Sequence, residues 1–205
     1  MYVGGNESAK YWLGELNDLK SRGMQDVLIT CVDGLTGFVD AITTVFPQTD
    51  VQRCIIHQIR TSTRYVATKD IKPFMRDLKT IYRAPNQDEA WENLMKFEES
   101  WGKRYPVCVK SWKDNWNELT SFFAYPVELR KLIYTTNAIE GFNRQLRKVT
   151  KNRTVFPTDE ALFKLLYLAM RDITEKWVGK PYNWALIMNQ LMIMYPDRLR
   201  LEDLI

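Results

Sequence analysis

The sequence predicts an α/β protein that is predominantly helical, and three observations carry that expectation. Within the first fifty residues the signals run helix, strand, helix, strand, the order that gives parallel pairing. From His57 onward the strand signals fade, and helical segments carrying Trp91, Trp101, Trp112 and Trp116 take over. Longer helical segments then run toward the C-terminus. The expected organisation is an α/β segment over 1–57, a helical insertion over 58–130 and a helical return over 131–205.

Each element has a local reason. Glu7 to Lys20 is amphipathic, with Tyr11, Trp12, Leu16 and Leu19 near helical spacing, and Arg22-Gly23 is a stop signal. Val27 to Val32 is a nearly continuous β-prone run, which reads as a strand buried on both faces and ended by Asp33-Gly34. Leu35 to Phe46 is helical up to Pro47, and Val51 to Ile55 is a second short strand. Segments 58–68, 70–83, 87–103 and 108–121 read as helices separated by Pro73, Pro85 and Pro106. Arg130 to Tyr134 reads as a strand or extended connection. Asn137 to Thr150, Thr158 to Trp177 and Tyr182 to Tyr195 read as the closing helices.

Composition excludes several classes. The longest apolar run is Leu165 to Met170, too short to span a bilayer. The opening residues lack a basic and an apolar region, so no secretory signal is expected, and the natural compartment is the cytoplasm. Three cysteines in 205 residues exclude a disulfide scaffold. The net charge of +4 is unevenly spread. Residues 1–50 carry three basic and seven acidic side chains, whereas 101–150 carry nine basic and four acidic. That asymmetry suits one surface for polyanions and another where carboxylates gather.

Four groups of residues have chemistry to offer. Asp33 ends a strand, the edge where ligands of parallel sheets bind, although a plain Asp-Gly turn has the same pattern. Cys54 and His57, the sole histidine, form a Cys-x-x-His without a second short-spaced pair. Packing or hydrogen bonding suits that pair better than structural zinc, and His57 could also orient a phosphate. Glu140 follows Asn137 by three, so it reads both as half of a capping box and as a carboxylate presented on a first helical turn. Beyond it, Arg144, Arg147 and Lys151 share its helix face, with Lys148 in the same acid-free run. A phosphodiester backbone would suit that stripe, as would plain solvation.

Three ordered blocks join these residues. They are Arg22-Gly23 to Asp33-Gly34-Leu35; Phe46-Pro47 with Gln52-Arg53-Cys54-Ile55-Ile56-His57-Gln58-Ile59-Arg60; and Tyr134-Thr135-Thr136-Asn137-Ala138-Ile139-Glu140-Gly141-Phe142-Asn143-Arg144, continuing through Arg147 to Phe156-Pro157. Together they resemble the transposases of bacterial insertion sequences in the Mutator-like group, the IS256 family, through nearly the whole chain. The resemblance implies an RNase H-like catalytic domain with an Asp-Asp-Glu triad and an all-α insertion. In it Asp33 matches the second aspartate and Glu140 the glutamate, and both would be catalytic metal ligands. Cys54, His57 and Asn137 match signature positions.

The same resemblance implies two divalent ions, Mg²⁺ or Mn²⁺, and element-end and target DNA as partners. His57, Arg144, Arg147, Lys148 and Lys151 become candidates for DNA contact. No residue here fills the place of the first aspartate, so the fold is expected to be partial, without its first strands. The chain alone is then expected to be inactive, and its sheet edge to invite a homo-oligomer or pairing with an N-terminal transposase half. The alternative function is an inactive remnant that binds DNA or interferes with full-length transposase. A helical interaction domain without nucleic acid leaves the three ordered blocks unexplained.

Overall fold

The computed structural model describes residues 8–34, 37–134, 137–151, 155–177, 179 and 183–200, with backbone alone at 137–140. The chain divides into two compact units, Gly4–Tyr134 and one that holds Thr135–Ile205.

In the first unit, α1 (Ala9–Ser21) starts where Ser8 accepts the Tyr11 N–H and stops at Gly23, whose φ of +104° only glycine adopts without strain. Strand β1 (Ile29–Val32) leads through the Asp33-Gly34 corner to α2 (Phe38–Val45), and β2 (Asp50–Arg53) follows. The strands pair in parallel, with Ile29 opposite Asp50 and Val32 opposite Arg53. The expected order and pairing therefore form. Strand β1 is shorter than expected, and only Val32 on it is buried, so the run is not covered on both faces. Helix α1 packs on α2, where Trp12 stacks on Phe38 with ring centroids 4.2 Å apart.

The helical part begins sooner than expected, because Ile55 opens α3 (Ile55–Thr63) instead of ending β2. Next come α4 (Thr68–Tyr82), α5 (Gln87–Trp101), α6 (Pro106–Asp114) and α7 (Trp116–Thr120), then a 3₁₀ turn at Ser121–Ala124 and α8 (Val127–Tyr134). Pro73 lies inside α4 and separates nothing. The face carrying Phe74, Leu78 and Ile81 is fully buried, and that burial overrides the local cost of a helical proline. The expectation of an extended Arg130–Tyr134 is also wrong. Leu129 and Ile133 are buried four positions apart, a helical period, while Arg130 donates to the carbonyls of Pro85 and Phe123 at 2.7 Å each.

The core of this part forms around Phe74, whose ring meets those of Phe97, Trp101 and Tyr105 edge-on. A polar chain ties α3 to α6: Trp112 donates to Ser62 Oγ, Ser62 donates to the Gln58 carbonyl, and Gln58 donates to Ser111 Oγ. In the other unit, α9 (Asn137–Thr150) and α10 (Asp159–Thr174) pack together, and α11 (Trp184–Met194) follows. Thr158 caps α10 by accepting the Ala161 N–H. The Phe142 and Trp177 rings lie 5.7 Å apart. Among the described residues no helix is long and apolar enough to cross a membrane.

Candidate functional site at the strand ends

The register of the sheet decides which residues meet. Because Val32 pairs with Arg53, the next residues, Asp33 and Cys54, leave the sheet side by side at its C-terminal edge. The Cys54 N–H extends the ladder by donating to the Val32 carbonyl at 2.6 Å. The chain then turns at once into α3.

The Cys-x-x-His spacing has a local explanation. Cys54 is the N-cap of α3, with extended backbone, and its Sγ accepts the N–H of His57 at 3.5 Å. A cap and the third helical residue stand three positions apart, which is the spacing of the motif. His57 is thereby held on the first turn of α3, and its Nδ1 lies 3.9 Å from Asp33 Oδ2. Both side chains are accessible, at 51% for His57 and 41% for Asp33. A carboxylate and an imidazole thus face solvent together at the end of a parallel strand pair.

Gly34 completes the corner. Its φ is +87°, and a Cβ there would meet Arg53 Nη2 at 2.9 Å, so the guanidinium rests against the glycine. Arg53 Nη1 is bound to Glu118 Oε2 at 2.8 Å, which fastens the edge to α7. On the same strand the fully buried Gln52 donates to the carbonyls of Glu118 and Leu119 and accepts from Ser121 Oγ at 2.6 Å. The helical part is therefore bolted to β2 directly beside Asp33.

Glu140 lies in the first turn of α9, in the other unit, and its side chain falls outside the described residues. Helix α9 takes in Asn137 as its first residue, and the capping box expected of Asn137 and Glu140 falls outside the described residues as well. The helix is continuous to Thr150, so positions 140, 144, 147 and 151 share one face, with Lys151 bonding back to the Arg147 carbonyl. Arg144, Arg147, Lys148 and Lys151 are all exposed. Among the described residues none of the four is in an ion pair.

The sequence reading missed Arg60 and Arg64, which follow His57 at +3 and +7 and are exposed like it. Helical spacing counted from His57 would have found them. The three cysteines are free thiols, and Cys108 is buried, donating to the Ser62 carbonyl at 3.1 Å. Among the described residues no three His, Cys, Asp or Glu side chains gather as a metal cage. Asp33 presents an accessible carboxylate, a hard oxygen donor of the kind that suits Mg²⁺.

The chain thus sets a strand-end carboxylate beside a helix-mounted histidine, followed by a helical part. Residues 1–180 match the family described as Transposase, Mutator family. The chain is 47% identical over 199 residues to a probable transposase for an ISRM3-like insertion sequence element of Sinorhizobium fredii, covering 97% of this chain and 50% of that protein. It is 45% identical to the transposase for insertion sequence element ISRM3 of Rhizobium meliloti, with the same coverage. A probable insertion-element transposase of Corynebacterium diphtheriae is 38% identical, over 97% of this chain and 64% of that protein. The chain belongs to the Mutator family of transposases. It spans about half the length of the two rhizobial relatives.

Proposed function

We propose that this chain carries part of the catalytic domain of a DNA transposase of the Asp-Asp-Glu type, built on an RNase H-like sheet. The observation that supports this most is the position of Asp33, at the C-terminal end of a parallel strand with His57 3.9 Å away, in a chain of a transposase family. Asp33 and Glu140 would be two of the ligands of the divalent ions, Mg²⁺ or Mn²⁺, in the complete protein. Such ions, when bound, supply an activated nucleophile and stabilise a leaving oxygen.

The chain's own residues supply the rest of the site. Asp33 offers an accessible carboxylate on a rigid strand end. His57, fixed by the Cys54 cap, holds an imidazole where the backbone of a substrate strand would lie beside that carboxylate. The exposed cations Arg144, Arg147, Lys148 and Lys151 on α9 would take successive phosphates, fixing the strand without reading its bases. The activity, cleavage at element ends and strand transfer into target DNA, belongs to the full-length protein in an oligomer or paired assembly.

Glu140 provides the test. In the full-length protein, Glu140→Gln should abolish element-end cleavage while leaving thermal unfolding nearly unchanged, since the amide keeps a hydrogen-bonding group but not the charge. Glu140→Ala should also abolish cleavage and cost about 1 kcal/mol more in stability. Strand transfer at wild-type level by the Gln variant removes Glu140 from the proposed set.

A further inference from the structure

Helix α4, in the helical part, carries a second basic row that the family motifs do not include. Lys69, Lys72, Arg76, Lys79 and Arg83 follow one another at spacings of three and four and are all exposed. At about 1.5 Å per residue the row is about 21 Å long and stays on one face.

The acids of α4 are turned elsewhere and held by internal partners. Asp70 is buried, accepting from the Tyr105 hydroxyl at 2.7 Å and from Arg104 at 2.9 Å. Asp77 accepts from the Trp101 indole N–H at 3.1 Å and from Arg76 at 3.2 Å. Arg76 nevertheless keeps 77% of its side chain exposed. Among the described residues Lys69, Lys72, Lys79 and Arg83 are in no ion pair.

Opposite charges four apart along an exposed helix face attract, and like charges repel. Here Lys72 and Arg76, and again Lys79 and Arg83, are like charges four apart, an unfavourable spacing along a helix. The neighbouring α5 has the opposite character, with Asp88, Glu89, Glu92, Glu98 and Glu99 against one Lys96. Acidic side chains dominate α5 while the exposed row on α4 is wholly basic, so a phosphate backbone laid along that row would offset the repulsion within it. A row of about 21 Å matches about six base pairs of duplex at 3.4 Å each.

We propose that the α4 face from Lys69 to Arg83 is a second DNA-backbone contact surface, separate from that on α9 and independent of base sequence. It rests on the transposase reading above. The test is fluorescence anisotropy of the 205-residue chain with a labelled duplex of arbitrary sequence, between about 50 and 200 mM salt, where phosphate contacts give a steep log–log slope.

Three proteins are compared with wild type. In the first, Lys69, Lys72 and Lys79 become Gln; in the second, the exposed Lys10, Lys164 and Lys176 become Gln; in the third, Arg144, Arg147, Lys148 and Lys151 become Gln. The α4 triple should flatten the slope by about 2 to 3, at 0.9 per contact, while the control triple leaves it nearly unchanged. The α4 triple should still unfold in one cooperative transition, which separates a lost contact from a lost fold. Equal effects of the two triples, or an α4 triple with wild-type slope while the α9 variant loses binding, overturn the α4 surface and leave the transposase reading standing. No salt-sensitive DNA binding by wild type overturns both. Capture by phosphatidylserine vesicles with the same α4 dependence shows a general anion surface and overturns the assignment to DNA.

Discussion

Cys54 caps α3 with a sulfur, an acceptor weaker than the oxygen of Ser or Asp, and its role through His57 is positional. Replacement by Ser should therefore preserve stability, whereas Ala should cost up to about 1 kcal/mol, read from urea unfolding of the chain. His57, as the sole histidine, gives one imidazole signal by NMR; Ser should keep that signal near its wild-type position and Ala should move it. Gly34 gives a second prediction. Gly34→Ala forces a side chain into left-handed backbone and against the Arg53 guanidinium, at a cost of about 1–2 kcal/mol by the same measurement. At this scale the spacing of residues was legible in the sequence, and their contacts were not. The Cys-x-x-His pair stood out, but a cysteine is not a usual cap residue, so its capping role was hidden. The meeting of Asp33 with His57, 24 positions away, depends on the parallel register and could not be read from spacing.

Elements were legible where local period and punctuation agree. Asn137–Thr150 forms over the expected range, and Arg22-Gly23 ends α1 as expected. Pro73 and Arg130–Tyr134 were misread for one reason: a buried helical face outweighs a local signal, the proline in one case and a β-prone Leu-Ile-Tyr run in the other. The joints between elements are made by buried polar side chains that no periodicity announces. Gln52 is the clearest, and Gln52→Ala should cost about 1–3 kcal/mol by leaving the buried Leu119 carbonyl without the amide N–H it accepts. Asp70 joins α4 to the start of α6. The Tyr105 hydroxyl, with Arg104 beside it, holds the Asp70 carboxyl below the usual carboxylate range, and the same bond pushes the Tyr105 phenol up. A lowered folded value means that stabilisation is complete above the unfolded value of about 3.9 and is lost as pH falls through the folded one. Thermal melts from neutral to acid pH should show that loss in wild type, and Asp70→Asn should remove this share of it.

The whole molecule separates its roles between parts of the chain. Asp33 stands at the end of β1 and His57 on the first turn of α3, and Glu140 and one basic row lie on α9. The helical part that follows the sheet in sequence carries the other row on α4 and is fastened to β2 by Gln52 and Arg53. In the function proposed above, Asp33 acts as a metal-binding carboxylate and not merely as a turn residue. The most direct test of that role is divalent-ion-dependent cleavage of the element's own end DNA by the full-length protein, wild type against Asp33→Asn. Asn retains the turn and the fold, so unfolding and salt-dependent DNA binding should be unchanged and cleavage should be absent. Cleavage at the wild-type rate by the folded Asp33→Asn protein would contradict it.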